Sequence, residues 1–339
     1  MVCLNEAGQV LAVSGPLCGT KDAVRYFGFA RHALIEGFRA MNIGSGARVL
    51  LPEFICRDVL ASVHAVGATA LFYPVDMHLQ PATSPVDWPR AEAVLAVDYF
   101  GFAQPLAPFR EYCEKWSACL IEDNAHGFLS RDESGDWLGL RGDAGLFSLR
   151  KTFLMVNGAA LVMLEKNFVS KLDSQLASVD MVVPSSLRIR RTLRRLTGSR
   201  RPELMLAEAL RWARCWRNGH AIAAPDRDAE MLVSGAKAPS NDLFNTLAKQ
   251  DFYAEIERRR SLYLKISQLA QNNGCQLVFP VLPTGVAPYG LPVYCTDIIS
   301  LKGVVRRFGL DCFRWPDLPD AVAPNAPSHY RDLHVINFL

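Results

Sequence analysis

The sequence predicts an α/β fold: a mostly parallel sheet with helices on both faces. Two observations carry this. Through the first half of the chain, short apolar β-branched runs alternate with amphipathic segments. At 339 residues, 50% of them apolar and 21% charged, the chain is globular and too long for a single core, so one large and one smaller domain are expected.

The runs Val49–Leu51, Ala70–Tyr73, Val94–Val97, Leu120–Glu122, Leu146–Ser148 and Ala160–Met163 read as strands. Ala30–Met41, Arg57–Ala65, Leu106–Lys115 and Asn124–Phe128 read as the helices between them. Residues 1–165 are therefore assigned to the large domain. Residues 166–250 turn helical and basic, with Arg188, Arg190, Arg191, Arg194, Arg195, Arg200 and Arg201 crowded around Ile189, Leu193 and Leu196. Arg211, Arg214 and Arg217 follow, interleaved with Trp212 and Trp216. This segment is either a contact for an anionic partner or surface, centred on Arg188–Arg201, or a solvated helix face. The stretch from Ala221 to Ser240 reads as connecting loop. Residues 251–339 form an α+β unit: a charged helix from Glu255 to Gln271, a helix Ile298–Arg307, and strands near Leu277–Phe279, Tyr289–Tyr294 and Cys312–Phe313.

A formal charge of +3 makes no case for nucleic acid as an overall partner. The nine cysteines contain no Cys-x-x-Cys pair and no metal-like spacing with histidine, so no metal site and reduced thiols are expected. The N-terminus lacks a basic region followed by an apolar core. The longest apolar stretch, Phe153 to Leu164, is interrupted by Asn157 and too short to span a bilayer. The expected location is the cytoplasm.

Candidate chemistry lies between residues 119 and 163. The strand at 120–122 ends in Asp123, and the next ends in Ser148 with Lys151 close behind. In an open α/β sheet the carboxyl ends of strands face one crevice, where ligands bind. A carboxylate, a hydroxyl and a lysine there are the set that pyridoxal phosphate requires: one for the pyridinium nitrogen, one for the phosphate, one for the covalent imine. The alternative is a surface lysine beside a strand-end aspartate.

The motifs resemble the DegT/DnrJ/StrS family of pyridoxal-phosphate-dependent sugar aminotransferases. Glu122-Asp123-Asn124-Ala125-His126 matches that family's Glu-Asp-x-Ala-(Gln/His) strand end. Gly142-Asp143-Ala144-Gly145-Leu146-Phe147-Ser148 matches its Gly-Asp-x-Gly-x-Phe-Ser strand. Val49 to Pro52, Gly67 and Phe72 to Asp76 fit an upstream segment, and Ala96 to Gly101 fits a further strand end. The likeness covers roughly residues 25 to 165. It implies fold type I, the aspartate aminotransferase architecture, with a seven-stranded mostly parallel sheet and a small C-terminal α+β domain; family members usually extend by an apolar segment past the point matching Leu339, so that element is either trimmed or missing here. It also implies a homodimer using pyridoxal 5′-phosphate, an amino-acid donor (glutamate) and a keto-sugar nucleotide or related small-molecule ketone as acceptor, in polysaccharide or secondary-metabolite biosynthesis.

By the same resemblance Lys151 is the imine-forming lysine, in the register that puts it three residues after the serine. The family's commoner register, five after, falls on Phe153. Asp123 sits at the pyridine nitrogen, with helix capping as its alternative role. His126 lies near the phenolic oxygen, or is a packed histidine. At the phosphate end the family's Ser-Gly-Thr turn is replaced by Phe29 to His32, leaving Ser148 and Arg31 as candidates. The position of the ring that stacks on the cofactor falls on Cys56, with Phe54 or Tyr99 as substitutes for that ring. Those two departures, with Asn157 to Ala160 where relatives carry Gly-Glu-Gly-Gly, motivate a second reading: a catalytically inactive homologue kept as a scaffold or binding module. A sugar dehydratase of the same family is disfavoured, because those carry histidine in place of the lysine and no histidine neighbours Lys151 in the sequence.

Overall fold

A computed structural model describes residues 3–4, 10–12, 15–17, 23–218, 228–295 and 297–339. Part of the connecting loop read at 221–240 therefore lies outside the described residues, as do the side chains of Arg211, Trp212, Arg214 and Arg217.

A short ribbon, β1 (Cys3–Leu4) with β2 (Val10–Ala12), precedes the main body. The large sheet is then built in chain order from β3 (Val24–Phe27), β4 (Arg48–Pro52), β5 (Thr69–Tyr73), β6 (Ala93–Val97), β7 (Cys119–Asp123), β8 (Ala144–Phe147) and β9 (Ala159–Met163). Their spatial order is β3-β9-β8-β7-β6-β4-β5. Pairings from β5 through β4, β6 and β7 to β8 are parallel, while β9 runs antiparallel to β8 and β3. The expected seven-stranded, mostly parallel sheet is present. Its inner strands are unbroken apolar runs because both faces are covered; β6 and β9 are buried at every position.

Helices α1 (Ala30–Ala40), α2 (Arg57–Ala65) and α3 (Ala107–Trp116) supply the crossovers. All six strands read from the sequence are found. The helix expected over Asn124–Phe128 is not: these residues form an irregular turn. Its backbone is diverted by Asn124, whose amide donates to the carbonyls of Gly127 and Leu138. Gly145 in β8 is dictated by packing, since a β-carbon there would lie 1.6 Å from the Gly139 carbonyl oxygen.

Beyond the sheet come α4 (Lys166–Val169), α5 (Ser185–Thr197), α6 (Arg201–Asn218), α7 (Asn241–Leu247) and the long α8 (Phe252–Asn272). Asp251 caps α8 by accepting from the Ala254 amide at 3.0 Å. A second, four-stranded sheet follows, ordered β10 (Gln276–Leu277), β11 (Gly290–Tyr294), β13 (Leu333–Asn337), β12 (Asp311–Arg314), and all its pairings are antiparallel. It is completed by α9 (Ile298–Arg306) and the short α10 (Ser328–Asp332). One hydrophobic core runs from the large sheet into this smaller one. It joins Phe54, Tyr99 and Phe102 to Tyr263, Tyr330 and Val335, with Trp315 packed against them.

Candidate functional site

The carboxyl ends of β7 and β8 meet the N-termini of α1 and α2 around a cavity of about 60 Å³. Asp123 enters it from the last position of β7, and Lys151 from the single helical turn Leu149–Lys151 after β8. Ser148 lines it from just before that turn, with Arg31, Cys56 and Ala125. The expected convergence of Asp123, Ser148 and Lys151 is the geometry found.

Burial pushes the Asp123 carboxyl above its ordinary range, opposed by the Lys151 amine and by a hydrogen bond from the Ala125 amide at 3.0 Å. Burial lowers the Lys151 amine, against the pull of Cys56 and Asp123. The Cys56 thiol is raised by desolvation, with Lys151 drawing it down. The polar groups are thus held where water cannot screen them.

His126 stands beside the lysine. Its ring is stacked between Phe100 (5.3 Å between centroids, 6° between planes) and Tyr289 (4.7 Å, 19°), with Trp315 edge-on at 5.2 Å. Burial and the neighbouring Lys151 hold its pKa well below the usual value, so the ring is neutral. The Phe100 amide donates to Nδ1 at 3.4 Å, which assigns the ring proton to Nε2. Nε2 in turn lies 3.1 Å from Lys151 Nζ, so the ring and the amine are hydrogen-bond partners.

This arrangement carries a pH dependence. An unfolded histidine takes its proton near pH 6.5, whereas the folded His126 does not, so stability falls as pH drops below that value, by about 1.4 kcal/mol per pH unit. Urea melts at neutral and mildly acid pH should show this extra loss in the wild type and not in His126→Gln. Equal losses in both proteins would mean that His126 protonates normally when folded.

The phosphate end differs from the sequence reading by one added residue. Arg31 lines the cavity, with Asp58 3.3 Å from its guanidinium and Ser234 also bonded to it. Arg150 lines it too, and both guanidinium groups lie over the Phe29 ring, at 5.1 and 5.2 Å. Burial, then Arg31, lowers the Arg150 pKa: two cations are held side by side. The first turn of α1, at Ala30 and Arg31, adds amides that a helix leaves without internal acceptors. Arg150 was overlooked because nothing in the local sequence shows on which side of the turn it emerges; its place next to Lys151 was the only signal.

Two residues named from the sequence stand elsewhere. Phe54 and Tyr99 do not line the cavity. Both are buried in the aromatic cluster with Trp315 and Tyr330, and the Tyr99 hydroxyl donates to the Phe54 carbonyl at 2.7 Å. Cys56 does line the cavity. The departure at 157–160 is structural: Ala159 and Ala160 are packed in the core within β9, and Asn157 is fully buried. The Asn157 side chain accepts from the Ser240 amide at 3.0 Å and donates to the Ala238 carbonyl at 3.3 Å. It anchors a strap that closes over α1, where the Gly28 amide donates to Lys237 and His32 meets the Gly235 carbonyl.

The donor set fits pyridoxal phosphate: an anion-binding end (Arg31, Arg150, Ser148 and the start of α1), a free amine, and a buried carboxylate. The cavity itself is smaller than that molecule, and the long side chains of Arg31, Arg150 and Lys151 form part of its wall.

Residues 18–176 match the model of the DegT/DnrJ/EryC1/StrS aminotransferase family, so the resemblance read from the motifs is shown over that segment. Over 120 residues the chain is 30% identical to a UDP-N-acetyl-3-dehydro-alpha-D-glucosamine 3-aminotransferase of Acidithiobacillus ferrooxidans, covering 34% of this chain and 32% of that one. The chain thus spans about a third of the length of this curated relative. Among solved structures it is similar to the aminotransferase TlmJ from Streptoalloteichus hindustanus (TM-score 0.62, 19% identity, 94% of this chain and 80% of that one). It is also similar to Helicobacter pylori PseC, an aminotransferase involved in the biosynthesis of pseudoaminic acid (TM-score 0.61, 14% identity, 93% and 81%). At these identities the structures show a shared fold.

Proposed function

We propose that the chain is a pyridoxal-phosphate-dependent aminotransferase that moves an amino group from an amino acid, with glutamate as the expected donor, to a keto-sugar nucleotide. The observation that carries this reading is the meeting of Asp123, Ser148 and Lys151 around one cavity at the carboxyl edge of the sheet. When bound there, pyridoxal phosphate supplies the electron sink for deprotonating the donor's α-carbon. Asp123 holds the pyridine nitrogen protonated by its charge. Arg31, Arg150, Ser148 and the α1 amides hold the phosphate. Lys151 serves as the nucleophile for cofactor attachment and, once displaced, as the base that moves the proton. His126 holds the Lys151 amine in place by its hydrogen bond.

The acceptor class rests on the relatives, one of which is named for a UDP-sugar and another for a sugar-biosynthesis step. A two-fold homodimer in the cytoplasm belongs to the same reading. The test is a single-turnover reaction. The purified protein, loaded with pyridoxal phosphate, should convert glutamate to 2-oxoglutarate in an amount matching the enzyme. A protein that takes up no cofactor and makes no keto acid would instead be the inactive, scaffold-like homologue.

A further inference from the structure

We propose that the α5–α6 face seats this protein on an anionic lipid surface. The inference goes beyond the proposed reaction and does not depend on it.

Residues 185–218 hold ten arginines and two glutamates, a net +8 in a chain whose formal total is +3, leaving −5 for the rest. The arginines divide by position. Arg190 and Arg194 turn inward to Glu203, and Arg191 to Asp242, so these three tie α5 to its neighbours. Arg188, Arg195 and Arg201 are exposed.

Between the charges lies apolar surface that a soluble helix normally buries. The exposed positions of α6 with a described side chain, after Arg201, are Met205, Leu206, Ala209, Leu210, Ala213 and Trp216. At ~100° per residue they fall within an arc of about 140°, and none of them is polar. Trp216 is 83% exposed and Met205 71%, and on α5 Leu196 is 77% exposed. From Met205 to Trp216 the stripe runs for about 16 Å along the helix axis, parallel to any surface on which α6 lies flat.

Two arguments select the occupant. A second copy of the chain docking face to face would bring one segment of net +8 against another, which is repulsive. The apolar stripe offers six residues, whereas a stable protein interface needs about 20–30 on each side. An anionic bilayer meets both features at once: its headgroups pair with the rim arginines, and its acyl boundary accepts tryptophan, leucine and methionine. Among the described residues no helix is long and apolar enough to cross a membrane, so the contact is peripheral.

The test is co-sedimentation of the whole chain with phosphatidylcholine vesicles and with equimolar phosphatidylcholine–phosphatidylglycerol vesicles, at low and high salt. The protein should sediment with the anionic vesicles only, and less at high salt. Arg188→Ser with Arg195→Ser should weaken binding about 25-fold, at about fivefold per arginine. Leu206→Ser with Trp216→Ser should weaken it about tenfold or more. Both pairs alter exposed side chains and should melt like the wild type. Failure to bind anionic vesicles, equal binding to both vesicle types, or unchanged binding by both variants would each overturn the proposal. If Met205→Asp instead converts a dimer to a monomer in sedimentation while no vesicle binding is seen, the face belongs to a second copy.

Discussion

Lys151→Ala should yield a folded protein that binds pyridoxal phosphate without covalent attachment and has lost its half-reaction with glutamate. The expected fall is at least the ~10²–10⁴-fold that losing a general base costs, and more because attachment is lost as well. Folding should survive, because the amine is buried on a polar cavity and its burial opposes the charged form. Asp123→Asn should fail in a different way. It keeps the lysine and therefore covalent loading, but a neutral amide cannot hold the pyridine nitrogen protonated, so turnover falls while the linkage remains. Spectra and single-turnover rates of the two variants distinguish attachment from electron withdrawal. Undiminished turnover in Lys151→Ala would assign the activity to another lysine or another protein.

The second large effect concerns stability. Arg141 lies at the centre of a buried charge network, bonded to Glu122 at 2.7 Å, to Asp98 at 3.0 Å and to Asp132 at 3.3 Å. Glu122 and Asp98 are wholly buried, and burial together with the Glu122 carboxylate pushes Asp98 well above the usual carboxyl range. Arg141→Met would remove the cation from the buried Glu122 and Asp98 carboxyls, a loss of about 3–5 kcal/mol. In a protein of this size the melting temperature should fall by roughly 10 °C. Adding Glu122→Gln should recover most of that loss, because that carboxyl is then a neutral amide. Glu122 precedes Asp123 on β7, so the network also holds the strand end that presents Asp123 to the cavity. A drop confined to one or two degrees would show that water reaches Glu122.

The large sheet was legible because its strands are buried on both faces and therefore appear as apolar runs. The elements that escaped are those whose identity depends on partners distant in sequence. β3 is a four-residue edge strand defined by its antiparallel pairing with β9. β13 lies between β11 and β12 and shows no strict alternation of its own. The site was legible where the residues stand at strand ends: Asp123 and Ser148 follow directly from β7 and β8. Turns were harder. Phe54 and Tyr99 lie beside the right strands, but the chain turns them into the aromatic core around Trp315. Arg150 is turned toward the cavity by the same geometry that presents Lys151. The strap at 234–240 reaches α1 across some two hundred residues of chain, a contact that no local pattern encodes.

Lys151, beside Asp123 on the cavity, is the proposed point of cofactor attachment. Borohydride reduction of the pyridoxal-phosphate-loaded wild-type protein, followed by peptide mass mapping, tests it most directly. The account predicts a reduced pyridoxyl phosphate adduct on the peptide containing Lys151, and its absence from Lys151→Ala. An adduct confined to another lysine, or none in a protein saturated with cofactor, would contradict it.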